Sequence, residues 1–381
     1  QFRLMAGIYL HIPFCKQACY YCDFHFSTDQ SHKDELTNAM VKEISIRKGY
    51  IQGSLSTVYF GGGTPSVLNE NQLGLLMESI HKNFQVDKNA EITLEANPDD
   101  LSIERLNMLR KFGINRLSIG IQSFDDHTLK FLNRAHNGVA ARNVLHDVRS
   151  AGFKNVSIDL IYAIPDLDEK KWAETLYEAL SFSPEHISSY SLTIEERTVF
   201  GNWSKRGKFH RVGDELAAAQ FEMLMDTLTG HGYEHYEISN FARGGKYSVH
   251  NTSYWQNKPY LGIGPSAHSF NGISRQWNVA ANATYVLNIA AGKIPAESET
   301  LSLTNRHNEY LMTGLRTMWG VDLNVLRQDF GPRVANDFLE GTQRYISDGL
   351  MERQQHRFFL TTKGKLLADR IASELFQSEL Q

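Results

Sequence analysis

All three cysteines of this 381-residue chain, Cys15, Cys19 and Cys22, fall in one stretch, HIPFCKQACYYCDFHF, at residues 11–26. An odd number of thiols cannot pair completely, and no charged-then-apolar leader precedes them, so the expectation is a reduced, cytoplasmic protein. Thiolates at such short spacing converge on one centre with little loop-closure cost, which points to a metal or a cluster. Zinc would need a fourth ligand, for which His11 or His25 is at hand. The spacing CxxxCxxC is tighter than a two-knuckle zinc site, however, and has no distant second pair. An iron-sulfur cube normally takes four thiolates, so three leave one iron without a protein ligand. An open coordination position is what a metal centre needs to bind something reactive.

Other polar residues stand where an apolar or structural residue would be ordinary. GGGTPS, residues 61–66, contains Gly62, Gly63 and Thr64, either a tight turn fixed by Pro65 or a place where backbone amides approach a ligand closely. In LEANP, Glu95 is an acid inside an apolar run and needs a hydrogen-bonded or cationic partner, protein or ligand. GIQSF places Gln122 at a strand end, LNRAH supplies Arg134, whose guanidinium suits a carboxylate, and VSIDLIYAIP carries Asp159. HNTSYW, residues 250–255, offers the His250 imidazole as an axial iron ligand beside the flat surfaces of Tyr254 and Trp255, against the plainer reading of a core histidine. His268, in YLGIGPSAHSF, is a second, weaker candidate.

These residues need elements to position them. Apolar β-branched runs predict strands at 8–12, 57–60, 91–96, 116–122, 156–163 and 186–192, with amphipathic helices at 34–47, 71–83, 103–112, 139–151 and 170–182. Six β/α units imply a parallel sheet curled by right-handed crossovers into an open (β/α)6 partial TIM barrel, two units short of a closed one. The polar residues above then collect at the carboxyl ends of the strands, where such folds do their chemistry. Residues 1–240 would form this barrel, and 241–303 a connecting segment with an ordered glycine-rich loop. Residues 304–381 would form a smaller α+β, winged-helix-like domain, with helices at 308–318 and 323–329. That module carries ten basic and ten acidic residues. A neutral module suits a lid or a partner surface better than DNA. The whole chain has a formal charge of -4, which leaves no basic footprint for nucleic acid, and no run of about 18 apolar residues spans a bilayer.

CxxxCxxC after the first strand, with GGGTP after the second, resembles the radical S-adenosylmethionine (SAM) family. The resemblance implies a [4Fe-4S] cluster on Cys15, Cys19 and Cys22. The amino and carboxylate groups of SAM would chelate its fourth iron, and an electron from the cluster would cleave the sulfonium. Glu95, Gln122, Arg134 and Asp159, with Gly62, Gly63, Thr64 and Tyr9, match the SAM site of the coproporphyrinogen III oxidase-like branch, and Phe24 joins the cofactor-contacting residues. Within that branch the oxidase has a further cysteine two residues after the third; here that position is Phe24, and only 14 residues precede Cys15. HNTSYW fits the HNxxYW heme motif of the heme-carrying members. The resemblance therefore implies a heme carrier with His250 as heme ligand. It would deliver heme to respiratory proteins from the cytoplasm, with peripheral membrane association. Oxidative decarboxylation of coproporphyrinogen III is the alternative.

Overall fold

A computed structural model describes residues 5–380. Strands β1 (Met5–Ile12), β2 (Ser54–Gly62), β3 (Val86–Ala96), β4 (Arg116–Gln122), β5 (Val156–Tyr162) and β6 (His186–Ser191) lie side by side in chain order, all parallel. Between them run α1 (Lys33–Ile46), α2 (Glu70–Asn83), α3 (Ile103–Lys111), α4 (Asp126–Phe131), α5 (Gly138–Ser150) and α6 (Glu169–Ser181). The six strands and five helices expected from periodicity are all present. Short polar side chains start the helices after α1: Asn69, Ser102, Asp125, Asn137 and Asp168 each accept a bond from the amide three residues on.

Alternation along the strands divides the sheet into two unlike faces. Ile8, Leu10, Val58, Phe60, Leu94, Leu117, Ile119, Ile158, Leu160 and Ile187 face a core shared with α1 residues such as Leu36, Met40 and Ile44. The alternate residues Tyr9, Tyr59, Glu95, Ser118, Asp159 and Ser188, one from each successive strand, line a single cavity. Six neighbouring strands can wall one cavity only if the sheet curls around it, so the sheet is a partial barrel with a polar lumen.

The sheet continues on both sides. After α7 (Val199–Lys205) and α8 (Asp214–Gly230), the hairpin of β7 (Glu234–Glu237) and β8 (Asn240–Ala242) adds antiparallel to β6. After α9 (Val249–Trp255), β9 (Tyr260–Ile263) pairs parallel with β1, and β10 (His268–Phe270) and β11 (Ser274–Asn278) follow antiparallel. The helix α10 (Asn282–Ala290) precedes the edge strand β12 (Ala296–Thr300). The glycine-rich stretch 260–270, read as an ordered loop from sequence, is thus two short strands. Gly262 explains why: a Cβ there would lie 2.0 Å from the His268 carbonyl, so this tight return needs glycine.

The C-terminal part has its own core, including Leu311, Phe338 and Phe358. It contains α11 (Leu303–Leu315), α12 (Leu323–Phe330), α13 (Pro332–Ser347) and a three-stranded sheet of β13 (Val321–Asp322), β14 (Met351–Gln354) and β15 (Arg357–Leu360). It is anchored on the β7 edge of the barrel. Ile238 N donates to Arg316 O at 3.0 Å, Met318 N donates to Tyr236 O at 2.9 Å, and the Arg316 guanidinium meets Glu237 at 3.2 Å. No helix among the described residues is long and apolar enough to cross a membrane.

Candidate functional site

The cysteine loop leaves the carboxyl end of β1 and is fastened on main-chain atoms. Cys15 N donates to Ser27 O and Ser27 N to Pro13 O, at 3.0 and 2.8 Å, so the two ends of the loop pair. Gly63 N and Thr64 N donate to Ile12 O and Phe14 O, at 2.9 and 2.8 Å. These amides bond the start of the loop instead of standing free for a ligand, as the sequence also allowed. The glycine is required because a Cβ on Gly63 would lie 2.8–2.9 Å from backbone atoms of Ile12 and Phe14. Gly62 has a left-handed φ of +106°, and a Cβ there would strike the His11 ring at 2.6 Å.

Around the thiols the side chains form a chain of polar contacts. Thr64 Oγ1 donates to Cys15 Sγ at 3.3 Å, and Arg134 Nη1 approaches Cys19 Sγ and the Tyr21 hydroxyl, each at 3.3 Å. Arg134 Nη2 donates to Asn97 Oδ1 at 2.6 Å and to Gly120 O at 2.9 Å, and Asn97 Nδ2 reaches Thr64 Oγ1 at 3.5 Å. Gln122, with a left-handed φ of 63°, folds its amide over Gly120 beside Arg134. A non-glycine residue held there at a strand end is strained, as at many ligand sites. Burial pushes the Cys22 thiol up to about 11 and raises Cys15, the latter against the Thr64 hydrogen bond.

The polar lumen lies below this loop, with a volume of about 480 Å3. Of the thirteen residues singled out from sequence, Tyr9, Phe24, Glu95, Asp159 and His250 line it, while Gly62, Gly63, Thr64, Gln122 and Arg134 surround the cysteine loop above. The Glu95 carboxylate bridges both levels, accepting from Tyr59 Oη at 2.7 Å and Gly62 N at 3.2 Å. Burial raises Glu95 to about 7 and Asp159 to about 6. The sequence does not single out Asn97, Tyr59, Tyr21 or Ser118. A signal for two of them was there: Asn97 follows Glu95 in LEANP, and Tyr59 interrupts the apolar alternation of TVYF with a hydroxyl.

The floor of the lumen is α9. Glu91 accepts from Val249 N and His250 N, each at 3.1 Å, and seats the helix start against the barrel. His250, 1% exposed, stacks on Tyr59 at 4.8 Å between ring centroids. Its Nδ1 is 2.7 Å from Thr57 Oγ1 and its Nε2 is 2.7 Å from Tyr254 Oη. Burial first, and then the Arg116 cation, push its pKa down to about 3. The sequence reading gives this imidazole to heme iron; in the structure both of its nitrogens are already bonded within the protein.

Comparison with known proteins agrees with this architecture. A family model described as the radical SAM superfamily matches residues 9–178, and one described as the HemN C-terminal domain matches residues 301–367. The heme chaperone HemW of Bacillus subtilis is 36% identical over 372 residues, covering 96% of this chain and 98% of that protein; HemW of Lactococcus lactis is 33% identical over 374 residues, covering 98% and 97%. The chain belongs to the HemW family of radical SAM proteins. The fold also matches Escherichia coli coproporphyrinogen III oxidase, a radical SAM enzyme, with a TM-score of 0.85 and 25% identity, covering 99% of this chain and 91% of that one.

The cysteine loop fits the cluster and SAM that a radical SAM chain implies. Among the described residues no three His, Cys, Asp or Glu side chains are gathered to hold a single metal ion. Arg134 sets a guanidinium beside Cys19, and its buried Nε has no hydrogen-bond partner among the described residues, leaving a donor for a ligand.

Proposed function

We propose that this protein binds heme and delivers it to heme-requiring respiratory proteins. In this reading it holds a [4Fe-4S] cluster on Cys15, Cys19 and Cys22 with SAM beside it. The observation that carries the reading is similarity to heme chaperones along the whole chain, barrel and C-terminal part alike. Phe24 supports it too, since the oxidase of that branch would have a cysteine there. The cluster, when bound, supplies an open iron and an electron at low potential. The chain's own residues do the rest. Thr64 and Arg134 steady the sulfurs, Arg134 Nε and Gln122 offer donors to a carboxylate, and Glu95 and Asp159 offer acceptors to an amino group or hydroxyls. Delivery would take place from the cytoplasmic side, at the membrane surface.

The test is anaerobic reconstitution of the full chain, followed by titration with hemin. The expected result is iron and sulfide uptake that is lost on changing any of the three cysteines to Ser, with a Soret band on adding hemin. Protein that took up zinc but no sulfide, or gave no Soret band, would refute the assignment. The fold match to the oxidase keeps one other reading open to the same preparation. Conversion of coproporphyrinogen III with SAM at roughly 1 per second, or a few decades slower, would make it an enzyme.

A further inference from the structure

His250 and Tyr254 stand one turn apart on α9, and the two nitrogens of the imidazole meet unlike surroundings. Nδ1 faces the barrel wall. It is 2.7 Å from Thr57 Oγ1 of β2, and a Cβ on Gly7 of β1 would lie 3.1 Å from it and 2.6 Å from that hydroxyl. Thr57 is fully buried, and neither it nor Gly7 lines the lumen, so the strands close this side of the ring to any ligand. Nε2 faces the other way. It is 2.7 Å from Tyr254 Oη, and His250 and Tyr254 both line the lumen. Tyr254 is only half-buried, and its hydroxyl has no other hydrogen-bond partner among the described residues.

The partners decide where the protons sit. Burial holds the Tyr254 hydroxyl well above its ordinary range, so it keeps its proton, and a phenol is a good donor to an imidazole nitrogen. Tyr254 therefore donates to Nε2, and Nδ1 carries the ring proton and donates it to Thr57 Oγ1. The ring stays neutral, because burial and the Arg116 cation hold its pKa down at about 3. A neutral imidazole with Nδ1–H anchored on an oxygen and its Nε2 lone pair turned to a cavity is arranged as metal-binding histidines are.

We propose that His250 meets heme iron through Nε2, that Thr57 is the positioning residue holding the ring through Nδ1, and that the Tyr254 hydroxyl is a cap that heme displaces. This inference rests on the heme-carrier reading and adds to it which nitrogen binds and what controls access to it. In the exchange the hydrogen bond from Tyr254 to Nε2 breaks and the lone pair goes to iron. The phenol keeps its proton and turns to water in the lumen, so nothing is oxidised or reduced. The spacing within HNTSYW then has a physical reason, since four residues bring the cap over its nitrogen. Gly7, outside that motif, leaves the space in which Thr57 and the ring meet.

The test uses the full chain, reconstituted anaerobically, titrated with hemin, then reduced and read by resonance Raman scattering excited in the Soret band. The iron–histidine stretch reports the hydrogen bond at the far nitrogen, because a ring whose N–H is hydrogen-bonded is the stronger donor to iron. Thr57→Val keeps the side-chain shape and removes the acceptor. It should weaken hemin binding by roughly tenfold to a hundredfold and move the band to lower frequency. Thr57→Ser returns the oxygen and should recover both, which a packing role alone would not require. Tyr254→Phe keeps the ring but removes the cap, and should bind hemin roughly fivefold more tightly with the band unmoved. A Thr57→Val protein with the parent's affinity and band would overturn the proposal, as would a Tyr254→Phe protein that bound no more tightly than the parent. The second arm concerns a half-buried side chain and stands even if the valine variant does not fold. A parent with no Soret band would remove the heme-carrier reading itself. A parent with a normal Soret band but no iron–histidine stretch would remove only this inference.

Discussion

Glu95 shows how one side chain joins electrostatics to site architecture. Taking a carboxylate out of water favours its protonated form, and the bonds from Tyr59 and Gly62 only partly offset this, so its pKa stands at about 7. A carboxyl whose folded value is raised contributes stability that is fully present below the ordinary glutamate range and is lost as pH rises through about 7. Buried His11 and His250, held down at about 4 and 3, act in the opposite sense and lose stability as pH falls below the ordinary histidine range. The difference between the parent and Glu95→Gln isolates the carboxyl. Thermal midpoints of the cluster-free proteins should converge toward the Gln variant's advantage as pH rises from about 4.5 to 7, then run parallel. A difference that shrank in the Gln variant's disfavour over that range would contradict the buried-carboxyl account.

At the scale of elements, strands β1 to β6 and their helices were legible in the sequence because each carries its own period. In β5, for example, Ser157 and Asp159 alternate with Val156, Ile158 and Leu160, which identifies the strand and its two faces at once. The same alternation marks Glu95 as a lumen residue. What single-strand patterns cannot carry is register between distant segments. That Asn97 joins Arg134 to Thr64, or that His250 lies against Thr57, depends on how α9 and the strand ends dock. Strands β9 to β12 escaped notice because they are short and largely lack alternation. One element-level prediction follows from the seam between β2 and the cysteine loop. Gly63→Ala must push apart main-chain atoms of Ile12 and Phe14, at a cost of about 1–3 kcal/mol. Iron and sulfide uptake should fall along with the urea midpoint; normal uptake with a normal midpoint would show that the seam yields more easily than its geometry implies.

Over the whole molecule, Arg316 is the joint between the C-terminal part and the barrel. Its guanidinium meets Glu237, whose side chain is almost fully buried, at 3.2 Å and Asp369 at 2.5 Å, and it lies 5.7 Å from the Trp255 ring of α9. Arg316→Ala would leave the Glu237 carboxylate with only the Ser239 amide and the Asn240 side chain. A loss of about 1–3 kcal/mol is expected from an under-bonded buried acid. Because the joint also touches α9, calorimetry should show the transition fall and broaden, and a shift confined to the C-terminal part would show that α9 is not coupled to it.

The fastening of the cysteine loop has a consequence for the protein's life in air. Thiolates and their clusters are vulnerable to oxidation. A site that acquires its shape only from its metal collapses when the metal leaves, and each refilling must order it again. Here the main-chain ties from Cys15 to Ser27, from Ser27 to Pro13, and from Gly63 and Thr64 back to β1 and its loop use no sulfur atom. Asn133 Nδ2 and Gln17 Nε2 add bonds of 2.7 and 3.0 Å across to the turn after α4, again without a thiol. The socket should therefore outlast its contents, with amide exchange at Cys15 and Ser27 equally slow before and after the iron is stripped. A chain of this build can be emptied by oxygen, reduced and recharged without passing through an unfolded state.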